Sequence, residues 1–357
     1  MNWNDVIEKA KNSALEEIEK FGSPPRESFL ISLDKAITIA NNKSANVNIV
    51  ALGSILADYK LGQALSEKKL AEHVKISASA ARVLLVGLDI SPVDIEKVIS
   101  CVEQHHWPSG WSSLESEIVA NADCYRFLTP EGVVAFIKLL SQRNMETKDI
   151  INYVLQKAEE KWNILSLTEC KKELEQNYIA LIQFKNLLLK FPEFRYISDP
   201  ILRTPTQLVE TGEGIEIGHK LGEILVRYRK FVGYGRGLAA PQIGISKSVF
   251  VTYLDGQVQT YINPKIVNLS DKKNYYRELC LSCGFLWGDI KRASKITMNW
   301  TDENGKAQEK EADGVLARLW QHECQHLEGE LNLDFAKPGS IEFVTSDPLQ
   351  EKLRDSR

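Results

Sequence analysis

From Asp5 to Lys190 apolar residues recur every three or four positions, the repeat of an amphipathic helix, and Gly and Pro punctuate the breaks. The segments Asn48–Gly62, Glu67–Gly87 and Pro92–His105 show this best. The stretch Leu189–Pro200 interrupts the pattern with two prolines and several aromatics. Beyond it come short β-rich runs, Ser248–Tyr253, Gln259–Ile262 and Lys295–Trp300, separated by the turn signals Asp255-Gly256 and Asn304-Gly305 that suit antiparallel hairpins. A further helical stretch, Gly314–Glu328, follows the strands. The pattern predicts an all-α domain over 1–190, an α+β domain over 196–340 and a tail over 341–357, with Pro338–Arg357 reading as polar. There is no tandem repeat and no low-complexity tract.

A length of 357 residues exceeds what one core usually organises, which agrees with two domains. Hydrophobic residues at 43% and charged residues at 26% leave room for a sizeable core. A net charge of -4 with no basic cluster gives no reason to expect nucleic acid as a partner. No apolar run approaches the roughly 20 residues that span a bilayer, and Met1–Lys20 is charged and helix-like rather than a signal peptide, so a cytoplasmic protein without a membrane partner is expected. Cysteines at 101, 124, 170, 280, 283 and 324 do not form a disulfide framework, leaving metal ligation or burial as their readings. Nothing in the sequence excludes a homo-oligomer.

Candidate chemistry starts in the last helix. His322-Glu323-Cys324-Gln325-His326 puts two imidazoles one helical turn apart, able to grip one metal, with the intervening Glu in reach of its water. Alone, such a pair can equally be a surface accident or core packing. Two segments upstream change the weighting: Gly235-Arg236-Gly237-Leu238-Ala239-Ala240-Pro241-Gln242, and Glu278-Leu279-Cys280-Leu281-Ser282. Gln242-Ile243-Gly244, Ile262-Asn263-Pro264 and Gln321 fit the same pattern.

In this order the three segments resemble the signature motifs of the peptide deformylase family, with the likeness running from about Pro200 to Phe335. The resemblance implies antiparallel sheets around the HExxH helix, a metal held by Cys280, His322 and His326, and Glu323 as proton shuttle. It also implies oxyanion donation by the Gln242 side chain and the Leu281 backbone N–H, and substrate contacts from Gly235, Arg236, Gly237, Leu238 and Arg318. The implied reaction is metal-assisted hydrolysis of an N-formyl amide, on a small formylated peptide or other formylated small molecule, to formate and free amine. The expected cofactor is one divalent ion, ferrous iron in many members, with zinc, nickel or cobalt able to replace it. Two imidazoles and one thiolate make a tetrahedral site with one open position, as a catalytic metal needs. Cys283 is the rival fourth ligand that would close it, and Cys324 points off the His322/His326 face, toward burial.

The sequence departs from the family at Leu279, where Gly is usual, and at Gln325, where Asp is usual. Arg236 stands where an aliphatic residue normally meets the substrate's methionine, and Arg318 lies one turn before His322 on the same face. Two guanidiniums without partners would point to a polar or anionic substrate side chain, whereas pairing with carboxylates would make them structural. An HExxH metallopeptidase is disfavoured because its third ligand normally lies downstream of the helix. The alternative from another class is a non-catalytic regulatory or ligand-binding protein.

Residues 50 to 185 resemble, more faintly, the helical HD superfamily of metal phosphohydrolases. The likeness rests on Leu52-Gly53-Ser54-Ile55-Leu56-Ala57-Asp58, His73 with Ser77-Ala78, His105-His106, and Ser113-Leu114-Glu115 leading to Ala122-Asp123. Ala57 stands where the doublet has its histidine, and no His precedes His73. The resemblance therefore implies a partial set: Asp58, His73, His105 or His106, and Asp123. A degenerate domain kept for structure, ligand sensing or partner binding is the preferred reading over one surviving metal or nucleotide site.

Overall fold

The computed structural model describes residues 2–107, 110–345 and 353–354. The chain forms two compact units, Met1–Ile179 and Ala180–Arg357. The division lies inside a helix rather than at the proline-marked turn that follows it.

The first unit is built from helices: α1 (Trp3–Phe21), α2 (Arg26–Asn42), α3 (Val47–Leu56), α4 (Leu61–Ser66), α5 (His73–Gly87), α6 (Pro92–Gln104), α7 (Leu114–Leu128), α8 (Pro130–Gln142), α9 (Thr147–Ile164) and the start of α10 (Thr168–Lys190). Helix α3 is capped by Asn46, whose side chain accepts from the N–H groups of Asn48 and Ile49. Every residue from Ile49 to Leu56 is buried, as a helix apolar on all sides should be. Two expected helices are shorter than their periodicity suggested. The Asn48–Gly62 pattern breaks into α3 and α4 around a turn at Ala57–Lys60, and the Glu67–Gly87 pattern becomes helical only at His73. Lys68 there takes a left-handed φ of 59°, which a continuing helix cannot accommodate.

The second unit carries α11 (Thr211–Val232), the strands β1 (Gly237–Ala239), β2 (Val249–Leu254), β3 (Gln257–Leu269), β4 (Lys273–Leu279), β5 (Leu286–Ala293), β6 (Lys295–Thr301) and β7 (Ala307–Asp313), then α12 (Gly314–Leu327), β8 (Glu342–Phe343) and β9 (Leu353–Arg354). They form two antiparallel sheets, β1-β2-β3-β6-β7 and β8-β5-β4-β9. Asp255 and Gly256 both take positive φ, the two-residue turn expected there. The segment expected as a tail begins with pairing, Leu286 to Phe343 and Trp287 to Glu342, and Leu353–Arg354 pairs with β4; residues 346–352 and 355–357 of that tail lie outside the described residues. No helix among the described residues is long and apolar enough to cross a membrane.

Helix α12 is two-faced. Ala317, Trp320, Cys324 and Leu327 enter a core with Phe250, Tyr261, Met298 and Trp300, and this spacing leaves Arg318, His322, Glu323 and His326 on another face.

Helix α11 lies close to β3 because its facing stripe has no side chains. Gly214, Gly218 and Gly222 recur one turn apart, opposite Ile262, Thr260 and Val258, which alternate along one strand face. A Cβ on Gly218 would sit 2.3 Å from Thr260 Cγ2. Gly218→Val should therefore destabilise the second unit by about 1–3 kcal/mol or more, read as a lower urea midpoint for the tryptophan fluorescence of that unit; an unchanged midpoint would mean the helix can lift off freely.

Candidate metal centre and cavity

Cys280 follows β4 directly, at the start of a tight turn over Leu281–Cys283. Its Sγ and one ring nitrogen each of His322 and His326 lie within 4.8 Å of one another. Cys280 Sγ is 3.2 Å from His326 Nε2. His322 Nδ1 is 3.1 Å from Glu278 Oε2, which places a ring hydrogen on Nδ1 and makes Nε2 the nitrogen that can bind a cation once the ring is neutral. One sulfur and two imidazole nitrogens at this spacing fit a tetrahedral divalent ion with an open position. The electrostatics agree. Burial alone would raise the Cys280 thiol, yet Cys283 as donor and the neighbouring imidazoles hold it well below its usual range. Burial alone would lower His322, yet Cys280 and Glu278 as acceptors push it up to about 10. Such a thiolate–imidazolium cluster is what a cation replaces when ligands lose their protons. Cys283 stays outside the ligand cluster; its Sγ lies 3.2 Å from Asn332 Oδ1, and its thiol is raised by Cys280 and by burial.

Glu323 is 2% exposed, and burial pushes its carboxyl up to about 7 against the pull of His322 and His326. Its Oε2 has no hydrogen-bond partner among the described residues. Gly237 makes room for it, since a Cβ there would lie 2.1 Å from Glu323 Oε1. The glycine loop thus serves the acid as well as the cavity wall. Gly235 takes a φ of 108°, open only to glycine at low cost, and its carbonyl accepts from Arg229.

Gln242 is held with its Oε1 accepting from Ala239 N–H at 2.8 Å, so its amide nitrogen points at Cys280 Sγ (3.6 Å) and Ser282 Oγ (3.3 Å). Gln242, Leu281, Gly235, Arg236, Gly237, Arg318, His322 and Glu323 all border one cavity of about 250 Å³, walled by Tyr228, Tyr234, Tyr276, Trp287, Val315 and Leu319. Leu238 is fully buried in β1 and is not part of this lining.

The two arginines differ. Arg236 is exposed, and its side chain has no partner among the described residues. Arg318 is not an open charge: its guanidinium donates to Glu278 Oε1 at 2.7 Å, Ile290 O at 2.7 Å and Asn274 Oδ1 at 2.7 Å. Of the two readings left open for these arginines, Arg318 has the paired one and Arg236 the open one.

Glu278 is the residue that motif reading left without a role. It is buried, binds Arg292 through both oxygens at 2.7 and 2.8 Å, and also takes Arg318 and His322. Burial would raise its carboxyl, but Arg292 and His322 hold it well below the usual carboxylate range. The available signal was strand alternation: Glu278 and Cys280 are two apart and so share a face.

In the first unit, Asp58, His73, His105 and His106 converge. Asp123 is not with them. Its oxygens are taken by Arg126 Nη2 at 2.7 Å and Lys161 Nζ at 2.6 Å, neither of which the sequence had singled out.

A family model described as "Polypeptide deformylase" matches residues 192–340. A peptide deformylase of Treponema pallidum (strain Nichols) is 36% identical over 144 residues, 40% of this chain and 86% of the relative. One from Pseudothermotoga lettingae is 34% identical over 167 residues, 46% of this chain and 94% of the relative. One from Dictyoglomus thermophilum is 37% identical over 147 residues, 40% of this chain and 92% of the relative.

Glu278→Gln removes the charge that two guanidiniums and the His322 ring share. We expect a loss of about 3–5 kcal/mol in stability from the buried arginines it strands, and metal affinity lower by about 10–100-fold from the freed His322. Denaturant titration and competition with a chelator measure the two effects separately, and normal affinity in the variant would show that His322 does not need this support.

Proposed function

Because the chain belongs, through its carboxy-terminal unit, to the peptide deformylase family, we propose that the cavity beside Cys280, His322 and His326 hydrolyses an N-formyl amide to formate and a free amine. The chain is a metallo-hydrolase of the deformylase type. The observation that carries the reading is the convergence of one thiol and two imidazoles, one of which, His322, borders a cavity of about 250 Å³ together with the buried Glu323 carboxyl.

A divalent ion held by Cys280 Sγ and the rings of His322 and His326 would supply Lewis acidity toward water and the formyl carbonyl. Thiolate and imidazole donors suit iron, zinc, nickel or cobalt, and they do not choose among these. Glu323, with its carboxyl near 7, can take a proton from water at Oε2 and return it to the departing amine nitrogen. The Gln242 amide and the Leu281 N–H are the donors for the oxygen on which negative charge develops. Trp287, Tyr228, Tyr234 and Tyr276 give the cavity a largely aromatic wall beside the reacting groups. Glu278 fixes the tautomer of His322, and so the direction of its free lone pair.

The cavity lining includes the apolar Val315 and Leu319 as well as Arg236, and we take it to receive the substrate's side chain. We read Arg236 as the partner of an anionic or polar group there, in place of methionine; Arg318, whose guanidinium is taken up by Glu278, Asn274 and the Ile290 carbonyl, does not contribute. The amino-terminal unit reads as a degenerate HD-like domain that binds a ligand or partner, supported by Asp58 standing after Ala57 and beside His73 and His105.

Glu323→Gln should lower kcat on a formyl-peptide by about 10²–10⁴ while the chain keeps its metal, whereas Cys280→Ser should lose the metal. Full turnover by the Gln variant would remove Glu323 from the reaction. Arg236→Ala should narrow a preference for formyl-Glu over formyl-Met peptides by about two- to five-fold, the scale of one exposed ion pair; a formyl-Met preference that this variant leaves untouched would end the anionic reading.

A further inference from the structure

Two donors from separate loops can serve one developing oxyanion only if the gap between them is fixed. Gln242 lies in the tight turn Ala240–Ile243 that follows β1, and Leu281 opens the tight turn Leu281–Cys283 that follows β4. Strands β1 and β4 belong to different sheets, so no ladder ties one turn to the other. The link comes from the stretch over 189–200 that reads in the sequence as a mere boundary. There Phe194 and Tyr196 are buried while Arg195 and Ile197 are half-buried, the alternation of an extended chain, so the N–H groups of Arg195 and Ile197 leave on the same side. Arg195 N–H donates to Gln242 O at 2.8 Å, and Ile197 N–H donates to Ser282 O at 2.9 Å.

The incoming chain also backs each turn with a side chain. Both turns end on a glycine in the left-handed region, Gly244 at a φ of 81° and Gly284 at 64°. A Cβ on Gly244 would lie 2.9 Å from Arg195 Nε, and one on Gly284 would lie 2.3 Å from Phe184 Cε2. Phe184 meets Tyr196 edge-on, with ring centroids 5.1 Å apart. Ile197 packs against the buried group that contains Cys280 and Cys283. Each donor turn is thus held by one backbone hydrogen bond and one close side-chain contact. Between the turns Gln242 Nε2 donates to Ser282 Oγ at 3.3 Å, which closes the bracket on the side of the amide itself.

We propose that residues 194–197 are a positioning element for the reaction, setting the gap between the Gln242 amide and the Leu281 N–H. Leu281 and Ser282 are neighbours in one short turn, so a shift of the Ser282 carbonyl carries the Leu281 donor with it. Residues 194–197 do not border the cavity, and they act through the turns alone. Bonds to the oxyanion count chiefly in the transition state, so a loosened bracket lowers kcat and leaves KM in place. The use made of the two donors rests on the deformylase reading; the bracket's hold on the turns does not.

The test uses the full, metal-loaded chain. Ile197→Pro removes the N–H that Ser282 accepts, whereas Ile197→Val keeps it. The Pro variant should lose about 10²-fold in kcat on a formyl-peptide, the scale of a slight misplacement of reacting groups, with KM and bound metal unchanged, and the Val variant should restore the native rate. Hydrogen–deuterium exchange, read by mass spectrometry, should quicken in the Pro variant over 280–284 and stay as in the native chain along α12. Should the Pro variant not fold, Phe184→Ala set against Phe184→Leu makes the same comparison through Gly284. An unchanged kcat, a fall in kcat matched by loss of metal, or unchanged exchange over 280–284 would overturn the proposal. Failure of the deformylase reading has a different signature, a native chain that turns over no formyl-peptide, and the exchange measurement then decides the bracket by itself.

Discussion

One buried carboxylate organises the second unit. Glu278 accepts from Arg292 on both oxygens, from Arg318 and from His322, so two sheet strands and the metal-facing helix meet on a single negative charge. An isolated carboxylate at this depth would be neutral. Three cationic or donor partners keep it ionised, and each is itself buried at acceptable cost only because Glu278 is there. The arrangement turns a strand residue into the device that aims an imidazole. It also explains why Arg318, placed one turn before His322, belongs to the scaffold rather than to a substrate.

What the sequence made legible follows from how locally each feature is encoded. HExxH on a helix needs only the helical repeat to bring His322 and His326 onto one face, and Asp255-Gly256 needs only its own two residues to form the turn observed. Helix α12 and strands β2 and β6 were legible for the same reason. Long-range pairing was not. The partners of Glu278 come from β5 and α12, 14 and 40 or more residues away, and no period links them. Helix α11 was missed because its strand-facing stripe is glycine, a residue that periodicity arguments read as a break. In the first unit Lys68 ended a helix through a backbone angle that its side chain does not announce.

The same contrast holds in the first unit's polar centre. His105-His106 and Asp58 could be marked as titratable groups from the sequence, but the allocation of hydrogens among them depends on two backbone carbonyls, on Lys161 and on Arg126. Asp123, which pattern alone grouped with the histidines, is drawn off by two cations contributed from α7 and α9. Charge partners decide which carboxylate oxygen is left to act, and they are visible only in three dimensions.

Atoms that are missing from α11 have an influence at a distance. Tyr228, which walls the cavity, sits on this helix shortly beyond Gly222. The helix rests on bare backbone at three successive turns, so the stand-off between it and β3 sets how far that phenol ring reaches into the cavity wall. Adding or deleting one residue within α11 would rotate the smooth stripe by about 100° and present bulk where none fits. The breadth of the cavity is thus governed partly by a seam that no reactant ever touches.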